Sequence, residues 1–377
     1  MDALKLSVCY IVKNEEKNLP VSLASVKEAA DEIIIVDTGS QDNTKEIAKR
    51  NGAMVYDFPW QDDFSAPRNY AIEKASGDWI LFLDADEAFH SSLNKQALGD
   101  YLAGTDDKDA ILLIRHNVES WGETENFNTD WAPRIFRRRE GLRYRRRIHE
   151  QLHKSSGELK IAYAPADFYL LHTGYANAIS TSKCKRDLHI MQQIIAEGEW
   201  EPVFDYYLTD CYYGTQQYEQ ALAHAKRFLR SDAEVCGGNG HSYRMILECM
   251  RHLSLPDKDM LPWAEEACRL YPDLPDFYAE RGMILCGLGR LGEAEMLLAD
   301  ALKRYDEGTA DWQHDTYFSR EVAAKVAARL GEIAALNGQN NVAANWFVKA
   351  MDYYGKNGQV LKKAQKFLRE MEKGKAI

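Results

Sequence analysis

Residues 79–87 read Trp79-Ile80-Leu81-Phe82-Leu83-Asp84-Ala85-Asp86-Glu87. Five apolar residues in a row end abruptly on acids. An apolar run this short, stopped by charge, reads as a strand buried on both faces rather than as a helix. Working outward, Lys5–Val12, Glu32–Asp37, Met54–Phe58 and Ile111–His116 have the same make-up. Between the first four strands lie helix-length segments, Glu15–Ala29, Asp42–Asn51 and Ser65–Ala75, with Ser40 and Asp42 placed to cap the second. Strand–helix–strand alternation predicts an α/β domain with a mostly parallel sheet flanked by helices. Its ligands belong at the carboxyl ends of the strands. There the chain turns polar: Lys13-Asn14-Glu15, Asp37-Thr38-Gly39-Ser40 and Asp84-Ala85-Asp86-Glu87.

Composition narrows the class. The chain has 377 residues, enough for two domains or three. With 45% hydrophobic and 11% aromatic residues it is too apolar for a disordered chain. No apolar run approaches the ~20 residues of a membrane helix, and an acidic residue at position 2 makes the start a poor signal peptide. A net charge of −11 argues against nucleic acid as partner. The seven cysteines, at 9, 184, 211, 236, 249, 268 and 286, are odd in number and contain no C-x-x-C pair. They read as buried thiols in a reducing cytoplasm.

Beyond residue 175 the texture changes. Strand-like runs vanish, and Ala, Leu and aromatic residues recur at helical spacing. Tyr218, Ala221, Ala225 and Phe228 form one unit, Gly289, Leu291, Ala294, Leu298 and Ala301 a second, and Gly338, Ala343, Phe347 and Ala350 a third. Ala267 with Pro272 supplies the end of a unit between the first two. Ala267 to Ala294 is 27 residues, the step from the last small position of one 34-residue helix pair to the middle small position of the next. This pattern resembles tetratricopeptide repeats, with insertions, since Ala221 to Ala294 is 73 residues and Ala294 to Ala343 is 49. A non-repetitive helical bundle is the alternative. Either way residues 176–377 are expected to be all-α and residues 1–175 to be the α/β domain.

The acidic triplet carries the chemistry. Alternate residues of an extended chain point the same way, so Asp84 and Asp86 could converge on one ligand. Hard divalent cations, Mg²⁺ or Mn²⁺, take few carboxylates plus substrate phosphates. Alone the triplet is weak, because solvated Asp is common at strand ends. Its position after a fourth strand strengthens it.

Residues 5–90 resemble a family 2 glycosyltransferase of the GT-A type. The resemblance rests on SVCYIVKNEE at the first strand, IIIVDTGSQDNT at the second, and FSAPRNYAIEKASGDWILFLDADE, in that order. It implies that Ile11, Asn14 and Glu15 line the nucleotide-base pocket. Asp37 and Thr38 would hold uracil and ribose, Arg68 the nucleotide or its phosphates, and Asp84 the ribose and metal shell. Asp86 would bind the metal directly. Bland readings exist beside these: a turn-capping Asp37, and a surface ion pair of Arg68 with Asp62 or Asp63. Further on, R-x-F-R at Arg134–Arg137, H-E at His149-Glu150 and H-x-G at His172 match patterns of related enzymes. On that analogy Glu150 is the general base and His172 a further metal ligand or diphosphate contact, with a core or surface histidine as the alternative. A base is needed because an acceptor hydroxyl is a poor nucleophile until its proton leaves. Attack from the opposite face would invert the anomeric centre.

Two decoys overlap these motifs. His149-Glu150-Gln151-Leu152-His153 matches the zinc-protease pattern, which requires both histidines on one helix face; the charged, alternating RYRRRI before it does not support a helix. Gly287-Leu288-Gly289-Arg290-Leu291-Gly292 matches a dinucleotide fingerprint but sits in helical repeat pattern, so an inter-helix turn is expected. Eight arginines between Arg134 and Arg147 read equally as a loop closing on a diphosphate or acidic acceptor and as a solvated strand face.

The expectation is therefore a transferase moving a hexose or N-acetylhexosamine from a nucleotide sugar, a UDP-sugar first, with Mn²⁺ or Mg²⁺. The helical tail would recruit a peptide or protein acceptor. Alternatively it would join a homodimer acting on a glycan or lipid-linked acceptor. A catalytically dead scaffold is the non-enzymatic rival, opposed by the intact Arg68, Asp84 and Asp86.

Overall fold

The computed structural model describes residues 5–91, 93–118, 120–122, 128–173, 181–235, 238–308 and 319–354, with 362, 365–367 and 369. The chain divides into two compact units, Met1–Ala196 and Glu197–Ile377. The expected boundary at residue 175/176 lies outside the described residues.

In the first unit the elements run β1 (Leu6–Val12), α1 (Leu19–Val26), β2 (Glu32–Asp37), α2 (Thr44–Arg50), β3 (Met54–Asp57), α3 (Ser65–Lys74), β4 (Trp79–Leu83), β5 (Glu87–Phe89) and α4 (Lys95–Ala103). There follow β6 (Ala110–Asn117), β7 (Asn128–Arg137), β8 (Leu142–Arg145), β9 (Gln151–Lys154), β10 (Ile161–Tyr163), β11 (Tyr169–His172) and α5 (Thr181–Ala196). Strand order is β3-β2-β1-β4-β7-β6-β11-β5, with β10 also on β6 and β8-β9 as a separate hairpin. The first four strands are mutually parallel; β7 enters antiparallel between β4 and β6, while β11 and β10 lie parallel to β6. The chain steps one way from β1 to β2 and β3, then to the other side of β1 for β4. That reversal opens a crevice at the carboxyl ends of β1 and β4.

Alternate residues explain the buried strands. Leu6, Val8, Tyr10, Val12, Leu81 and Leu83 pack toward α1 and α4, while Cys9, Ile34, Val36, Ile80 and Phe82 pack toward α3 and the β8-β9 hairpin. Three expectations shift. β3 is an edge strand, half-exposed rather than buried on both faces. Helix α1 begins at Leu19, not residue 15, because Pro20 suits the first turn and the amides of Asn14, Glu15 and Glu16 bond to the segment after β2. β4 ends at Leu83, and Asp84–Glu87 is a turn closed by the Glu87 amide donating to the Asp84 carbonyl at 3.0 Å.

The second unit holds α6 (Phe204–Gly214), α7 (Tyr218–Phe228), α8 (Gly240–His252), α9 (Asp257–Leu270), α10 (Pro275–Gly287), α11 (Leu291–Glu307), α12 (Arg320–Leu336) and α13 (Asn340–Tyr354). These form four consecutive helix pairs. Ala221, Ala267, Ala294 and Ala343 are wholly buried, as the repeat pattern expects. A Cβ on Gly282 would sit 2.7 Å from Leu298, and one on Gly331 would sit 3.1 Å from Phe347, so small residues let the paired helices cross closely. The segment 287–292 is the α10–α11 turn, with Gly289 at φ +73°. Among the described residues no helix is long and apolar enough to cross a membrane.

Candidate active site

The carboxyl edge of the parallel strands is stitched together by short polar side chains. Asn14, at φ 59°, donates its amide to Ser40 Oγ (2.9 Å) and accepts the Gln41 amide on Oδ1 (2.7 Å). The Glu15 amide donates to Thr44 Oγ1, and Asp42, one residue before the α2 N-cap Asn43, accepts from the Thr44 amide at 3.0 Å, while Ser40 serves the β1 loop. Asp37 is buried at the tip of β2; its Oδ1 accepts from the Gly39 and Ser40 amides, both at 2.9 Å, and its buried Oδ2 has no hydrogen-bond partner. Thr38 spends its hydroxyl on the Val12 carbonyl (3.1 Å). Ile11 is half-buried one residue before the end of β1. Burial pushes the Glu15 carboxyl up to about 7; a hydrogen bond from Asn18 opposes this, and the charges of Asp86, Asp42 and Asp84 add to it. Glu15 therefore shares its surroundings with the acidic turn.

Asp84 is the centre of a buried ion network. Arg68 on α3 donates Nη2 to Asp84 Oδ1 (2.9 Å) and Nε to Glu150 Oε1 (2.7 Å). Arg134 on β7 donates Nη2 to Asp84 Oδ2 and to Glu87 Oε1. Glu87 is wholly buried, also accepts from Arg115 Nη1 (2.9 Å), and receives the Asp84 amide at 3.2 Å. Burial alone would raise the Asp84 carboxyl, but the Arg134 and Arg68 guanidiniums hold it well below the usual carboxylate range. The Arg68 guanidinium lies 4.8 Å from the Phe82 ring and 5.3 Å from Tyr144, so its flat faces are covered. Arg68 is thus buried, not paired on the surface with Asp62 or Asp63. Two N–H groups in this network, Arg68 Nη1 and Arg134 Nε, are buried without a hydrogen-bond partner. Such orphaned donors are rare unless a ligand completes them.

Asp86 and His172 form the other end of the site. His172 Nε2 stands 3.6 Å from Asp86 Oδ2, and the Thr173 amide donates to the Asp86 carbonyl at 3.0 Å. Asn117 Oδ1 lies 2.7 Å from His172 Nδ1. His172 is buried at the tip of β11. Among the described residues no three His, Cys, Asp or Glu side chains stand together as a ready metal cage. The donor set nevertheless fits a cation of the Mg²⁺ or Mn²⁺ kind, which needs only one or two protein ligands beside phosphate oxygens. Asp86 and His172 are the pair that could hold it. Both Asp84 oxygens are already engaged by arginines, and the turn breaks the extended geometry that would have aligned Asp84 with Asp86.

The arginine cluster divides. Arg134 enters the site, whereas Arg137 lies 4.3 Å from the Trp79 ring, Arg138 donates to the Gly77 carbonyl and Arg139 pairs with Asp109. Arg146 (φ 74°) and His149 (φ 51°) shape a bend whose carbonyls accept from α3: Arg146 O from Ser65 Oγ and Arg147 O from the Phe64 amide (2.7 Å). That bend brings Glu150 to Arg68. Gln151–Lys154 is a strand, so the histidines at 149 and 153 share no helix face and the zinc-protease pattern lacks its scaffold. The sequence reading passed over Glu87, Arg115, Asn117 and Asp130 as site residues. Their only signal was polarity where strands were otherwise apolar, as in Arg115-His116-Asn117 at the end of β6.

Known proteins share parts of this sequence. A "TPR repeat-containing protein" of Synechococcus elongatus is 40% identical over 146 residues, 39% of this chain and 35% of the relative. The SPbeta prophage-derived glycosyltransferase SunS of Bacillus subtilis is 25% identical over 240 residues, 61% of this chain and 54% of the relative. The chain thus spans about a third to a half of the length of these curated relatives. The solved structure of YrrB, described as a TPR protein with an unusual peptide-binding site, aligns at a TM-score of 0.38 and 20% identity over 49% of this chain and 84% of its own. Residues 7–161, the stretch that supplies Asp37, Arg68, Asp84, Asp86 and Glu150, match the family model Glycosyl transferase family 2 and form a glycosyltransferase domain of that family.

Proposed function

We propose that the chain is a divalent-cation-dependent, inverting glycosyltransferase that moves a hexose or N-acetylhexosamine from a UDP-sugar. The observation that carries the reading is the gathering, at one sheet edge, of three buried unsatisfied atoms, Asp37 Oδ2, Arg68 Nη1 and Arg134 Nε, with the Asp86–His172 pair at the end of the same network. Asp37 would accept the uracil N–H, Thr38 would border the ribose, and Ile11, Asn14 and Glu15 would wall the base. Asp86 and His172 would hold the cation, which supplies charge neutralisation for the departing diphosphate. Arg68 and Arg134 would donate to phosphate oxygens, with Asp84 as their shared counter-charge and the ribose its neighbour. Glu150, brought to Arg68 by the β8–β9 bend, would take the acceptor proton as the new bond forms. The paired helices of residues 197–354 would recruit a peptide or protein acceptor, since stacked helix pairs offer a concave surface to extended chains. Cys9, Cys184, Cys211, Cys249, Cys268 and Cys286 are unbridged, which supports a cytoplasmic setting.

The test is UDP release from a panel of UDP-sugars by the full chain with Mn²⁺. Asp86→Ala should lower it by about 10²–10³-fold, the scale of removing one charge-stabilising group, with helical content unchanged. Equal release by wild type and Asp86→Ala would sink the reading.

A further inference from the structure

We infer that Asn117 is a positioning residue: its amide, oriented through Asp130 by the Glu87–Arg115 pair, holds His172 in the tautomer that turns the Nε2 electron pair toward Asp86. The role in cation binding rests on the Asp86–His172 reading above; the tautomer itself does not.

The argument is one of hydrogen-bond polarity. Arg115 can only donate. It gives Nη1 to the wholly buried Glu87 (2.9 Å), and Nε and Nη2 to the two oxygens of Asp130 (2.7 and 2.9 Å). Burial would raise the Asp130 carboxyl, but Arg115 beside it holds it below its ordinary value, so Asp130 is an acceptor only. Asn117 must then present its NH₂ end to Asp130, and its Nδ2 lies 3.3 Å from Asp130 Oδ2. The opposite flip would set an amide oxygen against a carboxylate. With the amide so turned, the atom facing His172 Nδ1 at 2.7 Å is Oδ1, an acceptor, and Nδ1 must carry the proton. In the neutral ring Nε2 is then an electron-pair donor, 3.6 Å from another, Asp86 Oδ2. A cation held between them would reconcile two electron-pair donors that face one another.

The backbone makes the chain rigid. Arg115 and Asp130 are register partners across β6–β7, Asn117 and His172 across β6–β11, and Glu87 and His172 across β5–β11. Each side chain leaves a strand at a set height, so the polarity imposed at Glu87 reaches the ring without a flexible link.

Two readouts test this on the full chain. Two-bond ¹H–¹⁵N spectra of histidine-labelled protein, without metal, should show His172 with a protonated Nδ1 and an unprotonated Nε2. In Asn117→Leu both tautomers should appear; in Asn117→Asp, which keeps an oxygen toward Nδ1, one should persist. Mn²⁺ affinity with UDP present, read from the electron paramagnetic resonance of free Mn²⁺, should fall about 10–100-fold in Asn117→Leu, the usual cost of losing a partner behind a metal-bound histidine. Should Asn117→Leu fold poorly, Asp130→Asn, which lets the amide flip, should shift both readouts the same way. A reversed tautomer in wild type, or unchanged spectra and affinity in Asn117→Leu, overturns the inference. The expected tautomer with equal Mn²⁺ affinity in wild type and His172→Ala overturns the cation reading and Asn117's role in it, and leaves the hydrogen-bond polarity standing.

Discussion

The two units arrange charge differently. In the sheet unit, the buried Arg68, Arg134 and Glu87 converge with the partly exposed Asp84 on one edge. In the helical unit many ion pairs lie one turn apart on the surface, such as Glu321–Lys325 and Arg329–Glu332, the buried Asp205 and Asp276 are paired separately, and the core is largely alanine and leucine. Buried ion pairs rarely add stability over apolar packing, because desolvation consumes the attraction. A domain that gathers four such charges in one connected network is holding them for something else. Exposed pairs are worth little either way. The difference teaches where to look: chemistry in the sheet unit, shape in the helical one.

The largest expected break in that contrast is Arg134→Met. It strands Glu87, wholly buried, with half its counter-charge and should destabilise the sheet unit by about 3–5 kcal/mol in denaturant titration. The helical unit has buried charges of its own, Asp205 held by His224 and Arg227 and Asp276 beside Arg244, but its tightest contacts are steric. Gly282→Ala forces a methyl against Leu298 at 2.7 Å. Overpacking costs about 1–3 kcal/mol, and the gain in helix propensity returns about 1, so a net loss of up to about 2 should appear in the helical transition alone.

A pH titration sharpens the comparison. The folded-state pKa of Glu15 is raised, from 4.5 to about 7. Its contribution to stability is therefore present at low pH and is lost as pH rises from about 4.5 through about 7. In metal-free protein Glu15→Gln should flatten that decline and raise the melting temperature at pH 8 above wild type. Asp84 runs the other way: its depressed pKa gives stability at neutral pH that is lost as pH falls below the ordinary carboxylate range. The smallest effect belongs to the helical surface. Lys325→Ala, removing an exposed pair with Glu321, should stay within about 0.5 kcal/mol.

Much of the site's location was readable in the chain. Trp79–Leu83, Glu32–Asp37 and Leu6–Val12 are legible as strands because both faces are buried, leaving an unbroken apolar run that stops where the sheet ends. The roles within the site were less legible. Asp84 and Asp86 look equivalent as letters, yet one is clamped by two arginines and the other faces a histidine. Short strands such as Glu87–Phe89 and Tyr169–His172 exist only because neighbours supply their hydrogen bonds, so no local pattern announces them.

The sequence by itself determined the layered sheet, the polar carboxyl edge and the helical pairs, because burial period and small-residue spacing are local properties of the chain. Tertiary structure alone decided which charge meets which: Arg68 finds Glu150 across 82 positions, and Asn117 finds His172 across 55. A hydrogen bond is specified by angle and distance between strands, and neither quantity is written along one strand.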